Sequence, residues 1–335
     1  MIKITERNTT IDMFKYVASL MVVAIHTTGT FGTASNLGFG MINVVCRIAV
    51  PFFAVSSGYF YFSKLENEKY DFDMLIKAQM KKVFILYLVW TIIYLIYSIP
   101  FWLFSGWLSV HAFVDYIVAS FLVGSHYHLW YLLSLLYALP IFWIVVTFIK
   151  KKWLLPLSIM LWTVKVLSYG YIQFFGKKKW MFEWLDKFPA FRDAIILILP
   201  LLLLGGLLRD GKKNEMNKIS ILLIGSFFLL FLEAFVLKEN GQTKVSFIFM
   251  TYPTVYFLMR FILNRGNIKR NKKMWMLLGR ASIMVYCIHP IIGEILEKLI
   301  TNNVICYLLT IVIATMFGVL PYTKRGTINN ERVNI

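Results

Sequence analysis

The chain has 335 residues, of which 59% are hydrophobic and 16% are charged. A soluble core cannot bury so large an apolar fraction, so the composition predicts an integral membrane protein and excludes an ordinary soluble domain. The net charge of +18 would suit a nucleic-acid-binding protein, but the basic residues stand in short clusters between apolar runs, which argues against a nucleic-acid partner.

Apolar runs near the length that spans a bilayer, about 20 residues, predict an all-α, polytopic bundle of about ten transmembrane helices in the lipid bilayer of the cell membrane. The predicted helices cover residues 11–31, 41–62, 82–104, 128–149, 152–172, 193–208, 219–238, 245–264, 274–296 and 304–322. The stretch 111–124 is too short and mixed to span, so we expect an interfacial or re-entrant segment there. Residues 1–322 are expected to form one transmembrane domain and residues 323–335 a short cytoplasmic tail.

The connections between the predicted helices alternate in charge. The segments 32–40 and 105–127 contain no Lys or Arg. The basic segments are 64–82, 150–152, 209–218, 265–273 and the tail around Lys324 and Arg325. By the positive-inside rule this alternation places both termini in the cytoplasm. The loop 176–193 is basic on the predicted outer side, and its side of the membrane is left open.

The first predicted helix carries ionisable residues near both ends. Lys15 lies near the cytoplasmic end, and His26 lies about 16 Å further out at about 1.5 Å per residue. Their offset is about three helical turns, so both side chains share one face. Asp12 and Lys15 are also spaced for a local ion pair. Such a pair would explain these two residues without a functional role. A lone imidazole deep in a span is usually functional, which makes His26 the leading candidate.

Further ionisable residues lie toward the outer ends of other predicted helices. Each is costly inside a span and therefore needs a partner or a task. These residues are Arg47, His126, His128, Arg192, Asp193, Glu233 and His289.

Structural alternatives exist for some of these outer residues. Arg47 and Arg192 lie near predicted helix ends, where an arginine can extend its head group to the interface. His289 precedes Pro290, and a ring nitrogen can bind a carbonyl that the proline leaves free. The cysteines Cys46, Cys287 and Cys306 stand singly in apolar runs. We therefore expect these cysteines to be small core residues, and we expect no metal site.

Four segments together resemble the membrane-bound acyltransferase type 3 superfamily. They occur in the order expected for that family across nearly the whole chain. They are "IDMFKYVASLMVVAIH" (11–26), "RIAVPFFAVSSGYF" (47–60), "HLWYL" (128–132) and "ASIMVYCIHP" (281–290). Lys15 departs from the family pattern, which usually has Arg at this position. The local details "FRDAI" (191–195) and "LLFLEAF" (229–235) resemble the membrane half of VanT-type membrane serine racemases, and we expect no racemase domain after the short tail.

The resemblance implies an enzyme that moves an acyl group, with acetyl as the first choice, from cytoplasmic acyl-coenzyme A to a hydroxyl of an extracytoplasmic glycan or small molecule. His26 would act as general base, and Arg47 would stabilise developing negative charge. Lys15 would serve the donor. The acceptor-binding residues would be His128, Arg192, Glu233 and His289. No tightly bound cofactor is expected, and the sequence has no glycine-rich phosphate loop.

A second function stays open. Arg47, Arg192 and Glu233 could bind the carboxylate and ammonium groups of an amino acid, as in a VanT-like module that binds or imports L-serine. Such a module would not need His26 as a proton acceptor. A purely structural membrane protein would explain neither the outer ionisable residues nor Lys15. The sequence names neither the acceptor nor the oligomeric state.

Overall fold

A computed structural model describes residues 7–28, 35–65, 71–106, 109–171, 187–208, 216–242 and 245–323. The regular structure in these ranges is entirely helical. We number the helices α1 (Thr9–Thr27), α2 (Asn36–Lys64), α3 (Phe72–Phe104), α4 (Val110–Leu122), α5 (Trp130–Phe148), α6 (Lys151–Tyr169), α7 (Pro189–Leu207), α8 (Met216–Glu239), α9 (Thr251–Arg265), α10 (Lys272–Glu297) and α11 (Asn303–Thr323).

Each of the ten predicted helices coincides with one observed helix. The additional helix α4 occupies the stretch that the sequence assigned to an interfacial or re-entrant segment. Seven helices of the described chain are long and apolar enough to cross a membrane, namely α2, α3, α5, α7, α8, α10 and α11. An all-helical membrane protein is therefore confirmed, whereas the count of ten crossings stays a prediction.

The three remaining predicted spans, α1, α6 and α9, are less apolar or shorter. The helix α1 contains Asp12, Lys15 and His26, and α9 has only 15 residues. The helix α6 contains three lysines. Ionisable groups lower the mean hydropathy of a helix, and α9 is also short, so these three helices are less apolar or shorter than the other seven.

The chain divides into two compact units. The first unit comprises Met1–Tyr59 and Leu207–Ile335, and the second comprises Phe60–Gly206. The expectation of one domain over residues 1–322 stays a prediction.

In the first unit, α1 lies directly against α10 at two glycines. A Cβ atom on Gly279 would lie 2.5 Å from Asp12 Cβ, and one on Gly293 would lie 2.9 Å from Thr27 Cγ2. Neither position has room for a side chain, so glycine permits the close approach of the two helices. Asp12 meets Gly279 at the start of both helices and Thr27 meets Gly293 near their ends, so α1 and α10 run parallel, as the predicted topology requires of these two.

The start of α1 is fixed to the connection between α9 and α10. Asn8 caps α1 by accepting hydrogen bonds from the backbone N–H groups of Thr10 and Ile11 at 3.0 and 3.1 Å. The backbone N–H of Thr9 donates to Asn267 Oδ1 at 3.0 Å, and the Thr10 hydroxyl donates to the Gly266 carbonyl. Capping and these tertiary bonds satisfy N–H groups that a helix start otherwise leaves without partners. They also fix the axial position of α1 relative to α10.

The second unit packs around α5. The ring of Phe142 lies 5.9 Å from the ring of Tyr61 and 5.5 Å from that of Phe62. Gly206, at the end of α7, lies so close to Phe62 that a Cβ atom would overlap the ring. Ser158 of α6 donates to the Pro200 carbonyl of α7 at 2.7 Å. These contacts bring α6 and α7 side by side, which positions the charged residues described below.

Candidate functional site

The structure brings His26 and His289 together. Their rings are stacked, with centroids 5.4 Å apart and planes inclined by 27°. His26 lies in the last turn of α1, and His289 lies late in α10 with no exposed surface. Because α1 and α10 are parallel and held close at two glycines, two histidines that are far apart in the sequence reach the same level.

The hydrogen bonding of His289 determines its tautomer. Its Nδ1 lies 2.8 Å from the carbonyl oxygen of Tyr286 and 3.2 Å from that of Val285. Pro290 has no N–H for the Tyr286 carbonyl four residues earlier, so the imidazole supplies the donor instead. Nδ1 therefore carries the proton, and in the neutral ring Nε2 is the acceptor. The structural alternative for His289, a hydrogen bond to the carbonyl that Pro290 leaves without a donor, is thus present.

At the other end of α1, Asp12 is bound by Arg7. The guanidinium donates from Nε to Asp12 Oδ2 at 2.6 Å and from Nη2 to Oδ1 at 3.1 Å, and Nη2 also donates to the Met276 carbonyl at 2.9 Å. Such two-point pairing is the strong form of an ion pair. Arg7 is thus a partner of Asp12 that sequence analysis had not considered. Lys15 lies one turn further along α1 and is half-buried. Its role in binding the acyl donor stays a prediction.

An apolar cavity of about 110 Å³ lies in the first unit beside residues Phe14, Val17, Ala18 and Met21 of α1. Its surface is almost entirely apolar. The lining residues are Phe14, Val17, Ala18, Met21, Val45, Ile48, Ala49, Phe52, Phe227 and Leu258. A cavity of this kind accepts hydrocarbon and not charge.

Arg47 lies where α2 changes its helical geometry. Residues Phe39–Val45 form a π-helical stretch, and Cys46–Ile48 form a 3-10 turn before the α-helical part of α2 begins at Ala49. Such irregular stretches are frequent at functional sites. The Nε atom of Arg47 is buried, and no described residue accepts a hydrogen bond from it. A buried guanidinium N–H without a protein acceptor is costly, and a bound anionic group would offset that cost.

Glu233 is engaged by the backbone at the start of α9. Its Oε1 accepts a hydrogen bond from the N–H of Phe249 at 2.8 Å, and its Oε2 accepts one from the N–H of Met250 at 2.7 Å. Both residues immediately precede α9, where backbone N–H groups attract a carboxylate. This geometry gives Glu233 a structural task, and its role in binding an acceptor stays a prediction.

In the second unit, His128 is buried beside His126 and Tyr94. The Nδ1 atoms of the two histidines are 3.2 Å apart, and the ring of His126 stacks on Tyr94 at 4.2 Å. The Tyr94 ring contacts His128 with centroids 5.2 Å apart. Two Nδ1 atoms at hydrogen-bonding distance share one proton, since one must donate and the other accept. The pair therefore presents one imidazole as donor and one as acceptor.

Arg192 belongs to a group of charged residues between α6 and α7. Lys165 Nζ binds Asp193 Oδ1 at 2.9 Å, and Arg192 Nε binds the same oxygen at 3.2 Å. The Tyr169 ring lies 3.7 Å from Lys165 Nζ and 4.6 Å from Arg192 Cζ, at cation–π distances. The π-helical stretch Ala194–Ile198 follows directly. We call Lys165, Tyr169, Arg192 and Asp193 the Lys165 cluster.

Sequence analysis missed the parts of the site that depend on packing. Lys165 was not singled out, although a lysine inside the apolar run 152–172 is itself a signal of a functional or paired group. The predicted residues Lys15, His26, Arg47, Glu233 and His289 lie in the first unit, and His128 and Arg192 lie in the second. The described chain holds no group of three or more His, Cys, Asp or Glu residues placed to bind a metal ion.

The chain is similar to known proteins over nearly its whole length. The family model described as an acyltransferase domain matches residues 8–324. An amino-acid racemase of Enterococcus faecalis is 24% identical over 96% of this chain and 47% of that protein. A serine/alanine racemase of Enterococcus gallinarum is 27% identical over 93% of this chain and 45% of that protein. The chain thus spans about half the length of these curated relatives. No solved structure matches the chain.

Proposed function

Because the chain belongs to the acyltransferase family and is a multi-pass protein of the cell membrane, we propose that it moves an acyl group, with acetyl as the first choice, from cytoplasmic acyl-coenzyme A to a hydroxyl of an extracytoplasmic glycan or small molecule. The stacking of His26 on His289 is the observation that carries the proposal. It joins two polar side chains capable of proton transfer at one level of a membrane protein.

His26 acts as the general base. Imidazole takes up a proton readily near neutral pH, so His26 removes the acceptor's hydroxyl proton while that oxygen attacks the thioester carbonyl. The new bond joins the acceptor oxygen to the acyl carbon, and the carbon–sulfur bond breaks to release coenzyme A, whose thiolate takes up the proton held by His26. His289 accepts a hydrogen bond at Nε2 and orients the acceptor, because its Nδ1–H is held by the Tyr286 carbonyl.

Arg47 stabilises the oxyanion that forms during this attack. Its buried Nε supports the assignment, because a donor aimed at developing charge in a site of low dielectric constant is effective in catalysis. Lys15 binds the anionic acyl donor, acyl-coenzyme A, from the cytoplasmic side. Acyl-coenzyme A is a substrate in this scheme, and we propose no tightly bound cofactor.

The function is tested by mass spectrometry of cell-surface glycans and exported small molecules from cells with and without this protein. We expect acyl esters that disappear when the protein is removed and return with the parent gene. Their failure to return with the parent gene, or identical ester content in both cell lines, would count against acyl transfer.

A second candidate function is favoured by the relatives. Proteins named amino-acid racemase and serine/alanine racemase match nearly the whole of this chain with less than half of their own length. The shared part of those proteins would then be a membrane module that binds or imports an amino acid such as L-serine. The two functions differ in their need for a base, so substitution of His26 distinguishes them.

We also propose that ten helices cross the membrane and that both termini are cytoplasmic, on the basis of the charge alternation. The three native cysteines are buried, so they give little background in a labelling experiment. A cysteine placed at position 330 should react with an impermeant maleimide only after the cells are opened. A cysteine placed at position 105, just after α3, should react in intact cells. Reversal of the two results would overturn the orientation.

A further inference from the structure

The two neighbouring histidines of the second unit stand in a short turn, residues 125–129, between α4 and α5. The turn follows Gly124, whose φ of 123° is a conformation that other residues rarely adopt. A Cβ atom at Gly124 would lie 2.9 Å from a backbone nitrogen of α5, so the chain is closely packed there. The N–H of Leu129 donates to the His126 carbonyl at 2.9 Å and closes the turn. The backbone on both sides of the two histidines therefore has a defined conformation.

The start of this turn is bound by a tyrosine hydroxyl of α3. The buried Tyr87 accepts a hydrogen bond from the N–H of Ser125 at 3.1 Å and donates one to the Ser120 carbonyl in the last turn of α4. One hydroxyl thus joins the end of α4 to the first residue of the turn. A buried backbone group that loses its hydrogen-bond partner is costly, so this hydroxyl fixes the position of the Ser125 backbone.

Two further residues of α3 contact the same turn. The hydroxyls of Thr91 and Ser125 are hydrogen-bonded at 2.9 Å, and the Tyr94 ring stacks on the ring of His126 with centroids 4.2 Å apart. Tyr87, Thr91 and Tyr94 are spaced by four and three residues, which places them on one face of α3. Polar groups are costly in an apolar membrane helix, so their convergence on two successive residues of the turn indicates a positioning task.

We propose that Tyr87 is a positioning residue, whose hydroxyl holds the His126–His128 pair in the arrangement that binds the hydroxyl of the acyl acceptor. The role of His128 in acceptor binding rests on the proposed function, whereas the link between Tyr87 and the pair does not. The two Nδ1 atoms, 3.2 Å apart, share one proton, so a displacement of the turn changes which ring nitrogens donate and which accept. A hydroxyl both donates and accepts, so its binding is sensitive to that arrangement.

A role of Tyr87 in folding alone would have a different consequence. Tyr87→Phe removes the hydroxyl and keeps the ring. If the hydroxyl only joined α3 to α4, its loss would reduce activity by the same factor whatever residue stands at position 128. If Tyr87 acts through His128, the effect of Tyr87→Phe disappears once His128 has been replaced, because coupled residues do not have additive effects.

The first measurement is the transfer of labelled acetyl groups from acetyl-coenzyme A to the cell's own acceptor in inverted membrane vesicles that contain the full-length protein. Tyr87→Phe should lower the maximal rate about 10-fold, as for one lost hydrogen bond, and leave the KM for acetyl-coenzyme A unchanged. In the His128→Gln background it should have no further effect. Tyr137→Phe is the matched control, because Tyr137 donates at 2.7 Å to the carbonyl of Phe121, outside the turn, and its rate should equal that of the parent.

The second measurement does not depend on activity. The five histidines of the chain are labelled with nitrogen-15, and the imidazole signals of the protein in lipid are assigned by replacing each histidine in turn with Gln. Tyr87→Phe should shift the Nδ1 signals of His126 and His128. The signals of His26 and His289, which lie in the first unit, should stay in place. The control variant should shift none of the five.

Unchanged Nδ1 signals in a folded Tyr87→Phe protein would overturn the link between Tyr87 and the pair. Equal loss of activity in the parent and in the His128→Gln background would reduce Tyr87 to a folding role. If the parent transfers no acetyl group while the Nδ1 signals still move, the proposed function fails and the positioning of the pair stands. Should Tyr87→Phe not fold, Thr91→Val takes its place, because it removes the other hydroxyl bound to Ser125 and is expected to shift the same signals.

Discussion

Replacing His26 by Gln is expected to lower acyl transfer by about 10²- to 10⁴-fold, the usual contribution of a positioned general base. The amide keeps hydrogen-bonding capacity but cannot accept a proton at neutral pH. The side chain lies beside His289 in the first unit, and an uncharged amide puts no new charge into a membrane helix, so folding and insertion should persist. The measurement is the initial rate of ester formation by the variant and the parent at equal membrane content.

The matched control is His111→Gln, which changes an exposed histidine on α4 and should leave the rate unchanged. His26→Ala should behave like His26→Gln, since both lack a base. Acyl transfer that survives in His26→Gln would defeat the catalytic assignment. L-serine binding is measured in the same variant, because an amino-acid-binding module predicts that it is largely preserved whether or not any acyl transfer is detected.

Replacing Lys15 by Ala is expected to raise the KM for acyl-coenzyme A about 10- to 100-fold, the effect of one lost charge-assisted hydrogen bond. The KM for the acceptor should stay constant, because the proposed topology puts Lys15 at the cytoplasmic end of α1 and brings the acceptor from outside. Lys15→Arg should be tolerated, since it keeps the charge and restores the residue that the family usually has. The measurement is a pair of titrations, one of donor and one of acceptor.

The control for this series is Lys152→Ala, an exposed lysine on α6, which should change neither KM. Folding is compared through thermal unfolding, because Asp12 keeps Arg7 as its partner when Lys15 is removed and the start of α1 should stay in place. Equal increases in both KM values would remove the donor assignment and point to a general disturbance of the first unit.

The sequence alone determined where the helices lie and which residues are out of place in them. Long apolar runs have few alternatives to a helix in a bilayer, so all ten predicted helices recur in the structure. An ionisable residue in such a run stands out by its cost, which identified His26, Arg47 and Arg192. The bond from His289 to the Tyr286 carbonyl was also foreseeable, because it depends only on Pro290 and four residues of one helix.

Only the tertiary structure decided which of these residues meet. Membrane helices are apolar on most faces, so their sequence says little about how each is rotated or which helix it packs against. Gly279 and Gly293 admit α1 against α10 and thereby stack His26 on His289, and the packing of α6 on α7 brings Lys165 to Asp193. The carboxylate of Glu233 is directed to the start of α9 by a chain reversal that no local pattern shows. The identity of the polar residues is thus a local property of the sequence, whereas their partners follow from helix packing.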